Sequence, residues 1–299
     1  MTMNTSLNKD LVSIIIPTHN RSGLLPETLQ SALSQDYPNI EIIVVDDHST
    51  DDTEKVVDEF IKMNKCQNLS FIKNEGKGGC CARNTGIKKA KGQFIQFFDD
   101  DDIMNTDYIS FRLRILKEKH LDFVTCDYDC FKDETNHIIG AKVINNIPHT
   151  AVSHLIYSSL PTPCFLLTRK AINTIGFWNI KVKRQQDMAY YHRLFLYNLK
   201  GEWLDKRLFK YRVHEKSVTM QNGYETIIQS FEEIYKEWKP ISRNVCLALV
   251  RLIILHIDMN SKSKVSKIYG HIKFFPKYPK EYSILYRFLK IKKRDLFNL

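Results

Sequence analysis

The chain has 299 residues, 43% of them hydrophobic and 26% charged, and a formal net charge of +10. The length fits one large domain, or one domain with a tail, and the composition is ordinary for a soluble protein with a full core. Its 7 cysteines exclude a paired zinc framework, because Cys80 and Cys81 are adjacent, Cys126 and Cys130 lie four apart, and no matching pair occurs elsewhere. An odd count, with a polar segment over residues 1–10 and a first apolar run too short for a signal or a span, points to reduced thiols in the cytoplasm. The positive charge leaves nucleic acid, anionic lipid or a phosphorylated ligand as partners.

Val12-Ser13-Ile14-Ile15-Ile16 reads as a buried strand ended by Pro17. A polar loop over residues 18–23 follows, then a helix with Pro26 in its first turn and Leu25, Leu29, Ala32 and Leu33 on one face. A second strand over 41–45 ends in Asp46-Asp47, and Ser49 through Asp52 suit the cap of a helix running to Phe60. Capping does not account for two aspartates at a strand end.

A third strand over 69–73 leads into Glu75-Gly76-Lys77-Gly78-Gly79 and a helix reaching Ala90. Glycines before a helix permit close backbone approach, and the helix start favours phosphate. The spacing matches neither nucleotide-loop fingerprint, and Arg83 is better placed than Lys77 to meet a phosphate. Phe94-Ile95-Gln96-Phe97-Phe98 is a buried strand whose end carries Asp99-Asp100-Asp101-Asp102. Four carboxylates in a row repel one another, and a hard divalent cation relieves that repulsion. A helix over 106–119 and a strand over 122–126 complete a strand–helix alternation that predicts a parallel sheet covered on both faces, with its polar loops gathered at one edge.

The middle is less regular. A strand or hairpin arm is expected over 138–144, a helix over 151–157, and a strand over 164–167 after Pro161-Thr162-Pro163, followed by a helix from Arg169. Gly176-Phe177-Trp178 supplies aromatic side chains for either a sugar wall or the core. Asp187 is expected near the first turn of a helix over 188–198, and a strand over 209–214 ends at His214. Helices are expected over 224–235 and 245–257, the latter a buried helix, a dimer face or a helix lying on a membrane. Beyond Lys262 basic and aromatic residues interleave, which suits an anionic membrane surface, and no RNA-binding module motif is present.

Taken together, Val12 through Asn20, Ile42 through Thr53, Ala82-Arg83-Asn84-Thr85-Gly86-Ile87 and Phe97 through Asp102 closely resemble the family 2 glycosyltransferases with a GT-A fold, over about residues 10–220. The resemblance implies an α/β, Rossmann-like mixed or parallel sheet flanked by helices in residues 1–220. It divides this domain into a nucleotide-binding half over about 10–130 and an acceptor-binding half over about 131–220, with a helical, basic extension over 221–299. It assigns Pro17, Thr18, His19, Asn20, Asp46, Asp47, Gly78 and Arg83 to the donor pocket. Asp47 falls in the uracil neighbourhood, and His19 stands where tyrosine is more usual, which alters base stacking. Asp99 is implied toward the ribose, and Asp101 or Asp102, with His214, toward Mg2+ or Mn2+. Asp100, at the variable position of the motif, is counted with the donor pocket yet open to solvation.

Asp187 matches the catalytic base, preceded by Gln186 where glutamate is frequent. Its carboxylate is expected to be ionised at neutral pH without special tuning. The implied reaction is an inverting transfer from a nucleotide-diphosphate sugar, a UDP-sugar foremost, to a saccharide acceptor expected to be polyprenyl-diphosphate-linked. The expected setting is bacterial surface-polysaccharide assembly at the cytoplasmic face of the inner membrane. A nucleotidyltransferase would use similar carboxylates, but would need a glycine-rich basic loop after the first strand, where Thr18-His19-Asn20-Arg21 stands.

Overall fold

A computed structural model of the chain describes residues 8–132, 138–142, 160–213, 224–238 and 240–241. Strand and helix alternate first as β1 (Asn8–Thr18), α1 (Leu25–Leu33), β2 (Ile40–Asp46), α2 (Thr53–Asn64), β3 (Leu69–Lys73), α3 (Gly79–Lys89) and β4 (Gly92–Phe97). These strands run parallel in the order β3-β2-β1-β4, as helical crossovers between neighbours require. Five consecutive β1 residues, Val12 through Ile16, are 0% exposed, so both faces of the sheet are covered. Capping of α2 differs from expectation. Its cap residue Asp52 makes no side-chain cap bond, while the Asp51 carboxylate accepts from the Thr53 N–H at 3.0 Å.

The sheet is mixed rather than wholly parallel. β8 (Phe165–Thr168) lies between β4 and β6 (Phe123–Phe131) and pairs antiparallel with both. β9 (Gly201–Arg212) runs parallel to β6, and the short β5 (Ile103–Met104) closes that edge against β9. β7 (Ile138–Lys142) pairs with β6. Only the second half of β9 is apolar enough to be read from the sequence. Its first half carries Glu202, Asp205, Lys206 and Arg207, side chains that a half-exposed strand tolerates and a hydrophobic pattern conceals.

The remaining helices of this unit are α4 (Tyr108–Glu118), a single 3-10 turn (Thr162–Cys164), α5 (Arg169–Ile175) and α6 (Gln186–Leu196). α3 approaches β1 closely because residue 86 is glycine, since a Cβ there would lie 2.3 Å from Ile15 Cγ2. That approach sets the first turn of α3 at the strand ends. Trp178 is core, stacked on Tyr190 at 4.0 Å between centroids, while Phe177 remains 40% exposed.

The chain divides into two compact units, the second comprising Pro148–Ser158, Lys181–Gln185 and Asn222–Leu299. Within the second unit α7 (Tyr224–Trp238) presents Ser230, whose Oγ accepts from the Lys183 and Arg184 N–H groups at 3.2 and 2.9 Å. No helix among the described residues is long and apolar enough to cross a membrane. The helices expected over 151–157 and 245–257, His214 and the basic tail lie outside the described residues.

Candidate active site at the carboxyl ends of the strands

The loops after β1, β2 and β3 are laced together by side chains. Asn20, at φ 53°, accepts through Oδ1 from the Thr50 N–H at 2.7 Å, and its own N–H donates to Ser49 Oγ at 2.8 Å. His19 Nδ1 lies 2.7 Å from the Asp47 carbonyl, and Asn20 Nδ2 lies 3.2 Å from His19 Nε2. The Asp47 carboxylate accepts from the Gly78 N–H at 2.8 and 2.9 Å and from Asn74 Nδ2 at 2.7 Å. Gly78 sits at φ 95°, a conformation a side chain would strain. Asp46 is 0% exposed and turned inward to Lys73 Nζ at 3.0 Å and the Ser49 N–H at 3.2 Å. Pro17 and Thr18 complete the end of β1, with Thr18 3% exposed.

The four aspartates after β4 diverge. Asp99 pairs with Arg83 at 3.0 Å. Asp100 and Asp101 both face Arg21, at 3.6 and 3.5 Å. Asp102 is 0% exposed, and its Oδ1 accepts from the Arg212 N–H at 2.8 Å. Asp100 is therefore not a solvated carboxylate. It is 9% exposed, packed beside the Thr18 hydroxyl and paired to Arg21.

Burial and repulsion from neighbouring carboxylates act on Asp99, Asp100 and Asp102. Burial first, then the Asp187 and Asp101 charges, push the Asp99 carboxyl up to about 7 against the pull of Arg83. Burial and Asp101 bring Asp100 to about 7 against Thr18 and Arg21. Burial with Asp101 and Asp99 raises Asp102 well above the usual carboxylate range.

Arg83 gathers the other side of the site. Its Nη1 donates to Gln186 Oε1 at 3.3 Å, its Nη2 reaches Thr162 Oγ1 at 3.4 Å, and its guanidinium lies 4.7 Å from the Trp178 ring centroid. Asn84 holds that tryptophan by donating to its carbonyl at 2.9 Å and accepting from its N–H at 2.8 Å. Asp187, in the first turn of α6, accepts a hydrogen bond from the Thr162 hydroxyl. Burial raises the Asp187 pKa, opposed by the Arg83 charge and the Thr162 hydrogen bond. Arg83 and Thr162 thus act to favour the ionised carboxylate against burial. Burial also works against the Arg83 charge, but Asp99 and then Asp187 outweigh it and raise the Arg83 pKa.

Thr162, Asn74, Asn84 and Arg21 are the residues that sequence reading passed over. Asn74 directly follows β3, the same strand-end position that drew attention to Asp46 and Asp47. Thr162 stands between two prolines that mark a fixed turn. Both signals were present but carried no charge.

The hard carboxylate oxygens of residues 99–102 suit a divalent cation, and Asp102 Oδ2 is buried without a hydrogen-bond partner. Among the described residues no three His, Cys, Asp or Glu side chains converge to hold an ion alone. That fits a cation of the kind that rests on one or two carboxylates and completes its shell with substrate phosphates and water.

A 3-2-1-4 parallel half followed by an antiparallel strand, with acidic and glycine loops on one edge, defines a GT-A glycosyltransferase. The S. aureus TarS 1–349 structure in complex with UDP shares this fold at a TM-score of 0.68 and 22% identity, covering 92% of this chain and 82% of that one. So does the mannosyltransferase PcManGT from Pyrobaculum calidifontis in complex with GDP-Man and Mn2+, at 0.55 and 17%, with coverage of 92% and 82%.

The chain belongs to glycosyl transferase family 2, whose model matches residues 13–176. It is 32% identical over 223 residues to the Escherichia coli UDP-Glc:alpha-D-GlcNAc-diphosphoundecaprenol beta-1,3-glucosyltransferase WfaP, covering 74% of this chain and 84% of that relative. The protein is accordingly an enzyme that transfers a sugar.

Proposed function

We propose that the chain transfers a hexose or N-acetylhexosamine from a UDP-sugar, with inversion and with Mg2+ or Mn2+, to a hydroxyl of a saccharide carried on polyprenyl diphosphate, in bacterial surface-polysaccharide assembly. The observation that carries the reading is the arrangement about Arg83, which pairs with Asp99 at 3.0 Å and reaches Asp187 through the Thr162 hydroxyl. The donor and acceptor classes are supported by WfaP, whose name specifies UDP-glucose and a lipid-diphosphate-linked N-acetylglucosamine.

In this reading Asp47, Thr18 and His19 receive the base, with Pro17, Asn20, Asp46 and Gly78 shaping the loops around it. A carboxylate accepts about four hydrogen bonds, so Asp47 keeps capacity for an imide N–H beside Gly78 and Asn74. Asp99 takes the ribose side. Asp101 would hold the cation with the diphosphate, together with the unpartnered Oδ2 of Asp102, whose Oδ1 is held by the Arg212 N–H. When bound, the cation neutralises charge on the departing nucleoside diphosphate. Asp187 accepts the proton of the acceptor hydroxyl as its oxygen bonds to the anomeric carbon and the carbon–phosphate-oxygen bond breaks, the electron pair leaving with the diphosphate. The Arg83 charge opposes the effect of burial on Asp187 and so favours its ionised form, and Gln186 adds no second negative charge beside it.

The test is a panel of UDP-, GDP- and dTDP-sugars incubated with a GlcNAc-diphosphoryl lipid, with Mg2+, Mn2+ or EDTA, and read by mass spectrometry. A single hexose or N-acetylhexosamine increment, dependent on a UDP-sugar and abolished by EDTA, is expected. Transfer from GDP-sugars alone, or undiminished transfer in EDTA, overturns the reading.

A further inference from the structure

We propose that Thr162 is a positioning residue for the transfer, its hydroxyl orienting the Asp187 carboxylate, and that a buried polar cage under the Thr162–Cys164 turn holds that hydroxyl in place. The proposal rests on the reading of Asp187 as the base.

Thr162 is 0% exposed, and its single O–H donates to Asp187 Oδ1 while Arg83 Nη2 donates to Thr162 Oγ1 at 3.4 Å. A hydroxyl has one proton and two lone pairs. With a guanidinium N–H directed at its lone pairs, the Thr162 proton is directed at the carboxylate. The bond fixes which Asp187 oxygen is engaged and leaves Oδ2 to meet the acceptor.

The turn beneath is anchored with unusual effort. The Pro163 carbonyl accepts from Tyr108 Oη at 2.5 Å, Gln96 Nε2 at 3.2 Å and Arg112 Nη1 at 3.4 Å. Arg112 is 0% exposed, donates through Nη2 to Gln96 Oε1 at 2.7 Å, and lies 3.6 Å from the Tyr108 ring centroid. Tyr191 Oη donates to the Thr162 carbonyl at 3.0 Å. Burying a guanidinium is costly unless its donors are satisfied. Here Arg112 Nη1 reaches the Pro163 and Cys164 carbonyls of the turn, both at 3.4 Å, while Nε donates to the Tyr108 carbonyl at 2.8 Å and Nη2 braces Gln96. Thr162 itself stands between two prolines that have no N–H of their own. Tyr108, Gln96 and Arg112 come from α4 and β4, and Tyr191 comes from α6, so three elements fix the position of one hydroxyl.

The full chain is assayed for transfer from UDP-glucose to a GlcNAc-diphosphoryl lipid as wild type, Thr162→Val, Thr162→Ser and Asp187→Asn, with UDP binding measured by calorimetry. Loss of a charge-assisted hydrogen bond at the base is expected to lower kcat about 10- to 100-fold in Thr162→Val. The KM for UDP-glucose and the Kd for UDP stay within about 2-fold, and Thr162→Ser recovers to within about 3-fold of wild type. Wild-type kcat in Thr162→Val alongside an inactive Asp187→Asn overturns the proposal. So does equal impairment of the Val and Ser variants, or loss of UDP binding together with kcat. An active Asp187→Asn overturns the base reading itself.

Discussion

Arg83 Nη2 stands 3.0 Å from Asp99 Oδ1, so the arginine of α3 neutralises the first carboxylate of the cluster after β4. The same guanidinium also acts electrostatically on Asp187, which makes it a shared counter-ion for two carboxylates from different elements. Arg83→Ala is expected to destabilise the fold by about 3 kcal/mol, because removing one partner strands buried charge. Urea denaturation checks the stability, and Arg83→Lys should recover only part of the loss, since an ammonium cannot reproduce the fork that reaches Asp99, Gln186 and Thr162 together.

Asp187→Asn is expected to reduce kcat by about 10²- to 10⁴-fold, the usual contribution of a general base, with UDP binding retained. Steady-state kinetics and calorimetry on the same preparation separate the two effects.

The rate should fall as pH falls through the Asp187 pKa, because only the ionised carboxylate accepts a proton. Burial moves that pKa upward, so the acid limb of kcat lies above the range of an exposed aspartate. A pH–rate profile with its acid limb at the ordinary value of 3.8 would contradict the buried environment.

Metal-free protein should lose stability as pH rises from about 4 to about 7. Asp99 and Asp100 titrate near 7 in the folded state against 3.8 otherwise, so the folded state binds more protons across that window. Stability is then greatest below the unfolded value and is lost as pH climbs through the folded one. Thermal melts across that range check the sign, and Mn2+ with UDP should diminish the trend.

Asn20→Ala is expected to cost about 1–2 kcal/mol, from a left-handed backbone position and the lost bond to the Thr50 N–H. Asn20→Gly should cost less, because glycine accepts the backbone conformation. Chemical denaturation of the two variants distinguishes the contributions.

Much of this enzyme was legible in one dimension because its parallel half is built from local signals. Apolar runs such as Val12 through Ile16 and Phe94 through Phe98 must be buried, the residues between them must cross over as helices, and paired carboxylates are disfavoured within such an apolar strand. The strand ends and the glycines before α3 follow from that logic, while the family and the place of Arg83 in it come from the resemblance of the motif blocks at those strand ends. What the tertiary structure decided is which carboxylate faces what. Asp46 and Asp47 are neighbours, as are Asp99 through Asp102, yet Asp46 and Asp102 turn into the protein while Asp47 bonds the Gly78 backbone and Asp101 faces Arg21. The antiparallel insertion of β8 is likewise invisible locally, since its pairing partners are distant in sequence. That insertion carries the turn with Thr162 to Asp187. A neutral hydroxyl between two prolines gives no periodic or charge signal, and its role emerges only where long-range packing brings Arg83, Thr162 and Asp187 to one point.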